Sequence, residues 1–163
     1  MSMHRVHRVA RQALTSGRVA AVLGAVLLCA SLSAAAQTPG KYEASLGPTP
    51  ITGVTKNTTL GQGYATATLA GDKLSVTGTF EGMGSAATDA HLMTGIGIGI
   101  SGTAVLPLTA SPGNSGTVTG TVSLSRAQVA ALKDGKLYIQ INSQKSPAPG
   151  GNLWGWLLPE PVV

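Results

Sequence analysis

Residues 63–81 constrain the fold of this chain more than any other stretch. GYATATLA (63–70) and KLSVTGTFE (73–81) flank the dipeptide Gly71-Asp72. Leu74, Val76, Gly78 and Phe80 recur at every second position, with Lys73, Ser75, Thr77, Thr79 and Glu81 between them. A period of two is the signature of a strand with one buried and one wet face. A two-residue loop with glycine first suits a type II′ turn, because glycine takes positive φ there without strain. The segment is therefore predicted to be an antiparallel hairpin that buries one face, which calls for a β-rich partner layer.

The rest of the chain continues this pattern. Further strands are expected at 41–46, 89–93, 103–108, 116–124, 137–142 and 152–158, the first of them at a sheet edge. Residues 47–60 hold Pro48 and Pro50 and read as an extended connection. One helix is expected over about 125–134. Ser125 and Gln128 form a capping-box pair, and Gly135 follows Asp134 to stop it. Short strands at a spacing of about eight to twelve residues indicate an all-β protein, an antiparallel, Greek-key-like β-sandwich of about seven or eight strands with one short helix.

The N-terminus reads as an export signal. Arg5, Arg8, Arg11 and Arg18 precede VAAVLGAVLLCA (19–30), and Ala34-x-Ala36 satisfies the small-x-small requirement of signal peptidase. Cleavage is expected between Ala36 and Gln37, giving a periplasmic or secreted protein with no transmembrane segment. A spanning anchor needs about 20 strongly apolar residues, and this segment fades into Ser and Ala after Cys29. Lipidation at Cys29 would need a small residue before it, where Leu28 stands. The expected organisation is a signal peptide at 1–36, an extension with an edge strand at 37–60, a β domain at 41–158 and a tail at 159–163.

Removing the leader changes what composition can say. Of the 11 basic residues four leave with it, while all 6 acids stay, so the remainder carries 7 − 6 = +1. The high pI belongs to the precursor and gives no clustered basic face for nucleic acid. Cys29, His4 and His7 leave as well, so neither a disulfide nor a thiolate is expected in the remainder.

The ordered series of motifs resembles the CHRD domain, found repeated in chordin and singly in exported bacterial proteins. The series is G-x-A-T-x-T-L, a G-D turn, L-x-V-x-G-x-F-x-G, A-H, a Gly-rich loop, D-G-x-L-Y-x-x-I-N, and P-x-P-G-G-N-x-x-G-x-L. It runs from about Lys41 to Leu158. The resemblance implies a non-enzymatic binding or cell-envelope interaction module with an unknown envelope or extracellular partner. This chain departs from the family's A-H-I-H-G by placing Met93 where the second histidine falls. Its region of Tyr138, Ile141 and Asn142 lacks the family's other histidine, and Asn152 to Gly155 replace an acidic-apolar-basic-Gly run.

Few residues offer chemistry. His91 and Met93 would share a strand face, and a thioether beside an imidazole suits Cu(I), so a periplasmic copper protein is the alternative reading. Metal sites need three or four convergent ligands, and only one strong donor is present, so no metal or other cofactor is expected. A Ser-His-acid triad would have to use His91, and no G-x-S-x-G elbow accompanies it, so no catalytic residue is assigned. Gly97 to Gly102 match G-x-G-x-x-G formally, but no helix follows. Ile96, Ile98 and Ile100 alternate with glycines in a loop and would form an apolar patch if exposed. Trp154 and Trp156 share a strand face, either capping the core or offering a binding platform. These five residues are the expected partner surface. Asn57-Thr58-Thr59 is a glycosylation sequon, of consequence only in a eukaryotic secretory route.

Overall fold

The computed structural model describes residues 39–161, so the leader, its cleavage position and the last two residues lie outside the described residues. The order of elements is β1 (Gly40–Pro48), β2 (Gln62–Ala70), β3 (Lys73–Glu81), β4 (Ala87–Thr94), β5 (Thr103–Ala110), β6 (Gly116–Ser123), α1 (Arg126–Lys133), β7 (Leu137–Ser143), β8 (Leu153–Trp156) and β9 (Leu158–Pro159). The predicted hairpin forms β2 and β3, paired without interruption from Gln62↔Glu81 to Ala70↔Lys73. Gly71 at its tip has φ 66, the left-handed backbone that the turn demands. Leu74, Val76 and Phe80 are buried, and the alternate residues are exposed.

The strands do not form the two separate layers of a sandwich. They close into a barrel. The order runs β2-β3-β6-β5-β4-β7-β8-β1, and β1 returns to pair with β2, so eight strands make the ring and β9 clips onto β1 outside it. Two strands bend to make this possible. Residues 40–46 of β1 pair with β2, and Gly47 and Pro48 pair with β8. Residues 103–108 of β5 pair with β4, and Thr109 and Ala110 pair with β6. A strand shared by both sheets at each corner leaves no free sheet edge there, which is how closure removes the edge problem. The expected edge strand, β1, is thus paired on both flanks. A Greek-key connection is retained, since the meander β4-β5-β6 has β3 beside β6.

Two local readings also change. Residues 47–60 are not simply extended. Thr52 and Thr55 exchange hydroxyl and backbone hydrogen bonds, and Lys56 N–H and Thr59 N–H reach back to the carbonyls of Thr52 and Thr55 at 3.1 and 2.9 Å. Side-chain hydroxyls offered the backbone a turn. The last strand splits at Leu157, which is fully buried and donates to Leu137 O at 3.0 Å, and β9 carries strand pairing into the expected tail. The helix forms as predicted, with both capping-box bonds present, and it lowers Leu132 into the core.

The barrel interior is filled by small and branched side chains. Ala44, Ala65 and Ala67 line the close β1–β2 side, and Leu92, Leu137, Ile139, Ile141 and Leu153 line the opposite side. Gly155 makes closure possible: a Cβ there would lie 2.4 Å from Ser45 O, where β8 meets the bend of β1. The strand that sets up the candidate site is β7, because it is buried along its whole length. Leu137, Ile139 and Ile141 face the core. Tyr138, Gln140 and Asn142 face outward, so something else must cover them.

Candidate functional site

The outer face of β8-β7-β4 carries three cross-strand rows. Trp156, Tyr138 and Met93 are in register, then Trp154, Gln140 and His91, then Asn142 and Asp89. The first row condenses into a second apolar cluster outside the barrel. Tyr138 and Trp156 stack at 4.7 Å and 27°. Trp154 meets Trp156 edge-on at 4.7 Å and Tyr138 edge-on at 6.0 Å. Met93 is buried against them, the gap-filling role expected of a thioether near aromatic rings.

Loop 95–102 covers this cluster. Gly102 N–H donates to the phenol oxygen of Tyr138 at 2.8 Å, and Gly95 N–H donates to Lys136 O at 2.9 Å. Pinned at both ends, the loop turns its alternating isoleucines outward: Ile96 is 80% exposed, Ile98 63% and Ile100 48%. Ile98 then lines a cleft of about 430 Å³ together with Trp156, Leu158, Pro159, Pro161, Tyr64, Glu43 and Ser45, with Glu43 in register beside Leu158. Hydrogen bonding with Glu43 raises the Tyr64 phenol above its ordinary pKa, and burial and the negative charges of Glu43 and Glu160 push the same way.

The expected partner surface is therefore brought together only in part. Trp156 and Ile98 both line the cleft. Trp154 packs behind Trp156, while Ile96 and Ile100 stand exposed on the same loop without lining the cleft. Glu43, Ser45, Tyr64 and Leu158 were not singled out from sequence. Period-two alternation marks the first three as outward-facing, but only the closure that sets β1 beside β8 and β9 brings them into one cleft with the tryptophan.

His91 and Met93 are not drawn into one site. Met93 is enclosed by aromatic rings. His91 Nδ1 lies 3.2 Å from Asp89 Oδ1, an oxygen that also accepts from Asn142, while Thr88 donates to Oδ2 at 2.7 Å. Among the described residues, no group of three or more His, Cys, Asp or Glu side chains could hold a metal ion. Asn152, which stands where the family is usually acidic, is fully buried. Its side chain donates to Leu60 O at 2.7 Å and accepts from the Ser143 hydroxyl at 3.1 Å, while its backbone carbonyl accepts from Thr49 N–H at 3.0 Å. It is a structural tie.

Comparison with known proteins agrees with the motif order. The family model for the CHRD domain matches residues 30–155. No curated protein and no solved structure is significantly similar to the chain. Among the described residues, no helix is long and apolar enough to cross a membrane. A match that spans most of the chain, over an all-β barrel carrying the motif series in order, assigns this protein to the CHRD domain family.

Proposed function

We propose that this protein is an exported, non-enzymatic binding module that engages a cell-envelope or extracellular partner through the cleft between loop 95–102 and β8. The observation that carries this reading is the exposed apolar edge of the cleft. Ile98, Leu158 and Tyr64 stay 63%, 41% and 44% exposed beside Trp156, although the barrel interior offers burial to other large apolar side chains. Contiguous apolar surface of this kind, with an aromatic anchor and a polar rim, has the composition of an interaction site. The loop that presents it is tied to Tyr138 and Lys136, so contact would cost little ordering entropy.

The test is retention of envelope proteins on the immobilised protein and on its Ile98→Ser variant. Losing a buried isoleucine contact weakens binding by about tenfold or more. Unchanged retention would remove the cleft from consideration. Mass spectrometry of the protein recovered from the producing cells tests export: the expected N-terminus is Gln37, and a chain retaining the leader overturns that part.

A further inference from the structure

We propose that the cleft receives a lysine or arginine side chain from a basic segment of a partner protein, with Glu43 as counter-ion and Trp156, Ile98 and Leu158 along the hydrocarbon stem. This names the partner chemistry of the cleft just described and rests on that reading. The lining is mostly apolar, and it carries one carboxylate, Glu43, which is the cross-strand partner of Leu158. A neutral apolar ligand would strip water from Glu43 and return no charge. An anion would meet Glu43 and also Glu160, whose field reaches Tyr64. A cation on an aliphatic stem satisfies both features: the stem lies on the apolar lining, and the head reaches the carboxylate.

Charge bookkeeping within the domain leaves Glu43 available. The ion pairs among the described residues are Lys41–Glu160, His91–Asp89 and Lys136–Asp134, and Glu43 is in none of them. Lys41, two residues away on β1, is engaged with Glu160 at 3.8 Å. The surface also continues beyond one headgroup. Ser45 and Tyr64 line a second groove of about 460 Å³ with Gln62, Thr79 and Glu81, so a carboxylate stands toward each end of the run. An extended basic peptide fits this arrangement. A lipid surface fits it less well: the exposed isoleucines would suit insertion, but Glu43 and Glu160 repel the anionic headgroups that usually draw proteins to membranes.

Trp154 and Trp156 are the only tryptophans in the chain, so their fluorescence reports on this face directly. The purified protein is titrated with a blocked alanine–leucine peptide carrying two lysines, and with the same peptide carrying norleucine in their place. The expected result is a saturable change with the lysine peptide, at least about tenfold weaker binding of the norleucine peptide, and weakening by added salt. Glu43→Gln, which removes the charge and keeps the size and polarity of the side chain, should lose about tenfold for the lysine peptide and nothing for the norleucine peptide. Equal affinity for the two peptides, or no effect of Glu43→Gln, overturns the cation proposal. If Ile98→Ser still weakens both peptides, the binding reading survives that failure. If neither peptide binds and Ile98→Ser leaves envelope retention unchanged, both fall. Saturable binding to phosphatidylcholine vesicles with no response to the lysine peptide overturns the proposal in favour of a lipid surface.

Discussion

Tyr42 shows how a single side chain ties the packing of β1 to solution conditions. It is 5% exposed on the inner face of β1, and burial raises its phenol above the ordinary value of 10.0. Ionisation would place a charge among apolar neighbours. The folded state therefore holds this proton more tightly than the unfolded chain does. The associated stability is complete below 10.0 and is lost as pH rises through the raised folded value. Urea unfolding from neutral to strongly alkaline pH should show a fall beginning above 10.0 that is smaller in Tyr42→Phe. Identical alkaline profiles would mean that Tyr42 does not contribute to the fall. At this scale much was legible. The faces of Leu74, Val76 and Phe80, and the reciprocal bonds of Ser125 and Gln128 at 3.2 and 2.7 Å, follow from local periodicity and capping chemistry. The burial of Tyr138 was not legible, because its cover comes from a loop thirty-odd residues away, and alternation alone assigns it to the wet face.

Among the elements, the loops prove as structured as the strands. The connection before β2 and the Pro147–Asn152 loop are tied to β7 by one buried polar set: Thr59 to Ser146 at 3.0 Å, Ser85 to Ser143 at 3.0 Å, and Asn152 to both Ser143 and Leu60. Asn152→Ala removes the donor to the part-buried Leu60 carbonyl and leaves the buried Ser143 hydroxyl without its acceptor, and a buried polar group left unpaired costs about 1–3 kcal/mol. The denaturant midpoint should fall accordingly. Asn57→Ala, at an exposed turn position, should stay within about 0.5 kcal/mol of the parent. Equal effects of the two substitutions would show that the buried set contributes nothing. The resemblance indicated that Asn152 mattered by position, since it departs from the family's acidic residue. What it does could be seen only once β7, the connection at 49–60 and the final loop were in place together.

For the molecule as a whole, strand number and direction were close to readable, but neighbour relations were not. Period two says which residues face inward. It carries no information on whether β1 ends a sheet or joins two, and that choice separates a sandwich from a barrel. The candidate cleft inherits the same limit. Trp156 and Ile98 stand out in the sequence as an aromatic and an apolar loop residue, whereas Glu43 and Tyr64 become part of the cleft only through closure. A chain truncated after Asn152 loses β8 and β9 and leaves β1 and β7 with unpaired flanks. Size-exclusion chromatography should show association of this variant, with no cooperative unfolding transition, whereas a chain ending at Pro161 should remain discrete and cooperative. A truncated chain that behaves like the longer one would mean that closure is not needed for stability.

The bend of β1 has a consequence in time. The first strand made must wait for the eighth before residues 47 and 48 find Leu153 and Trp154, and Gly155 can settle against Ser45. While the chain is still emerging from the ribosome, the β2–β3 hairpin can form, but the ring cannot. Closure in this order makes the ring an all-or-none event that waits on β8, however early its first hairpin is in place.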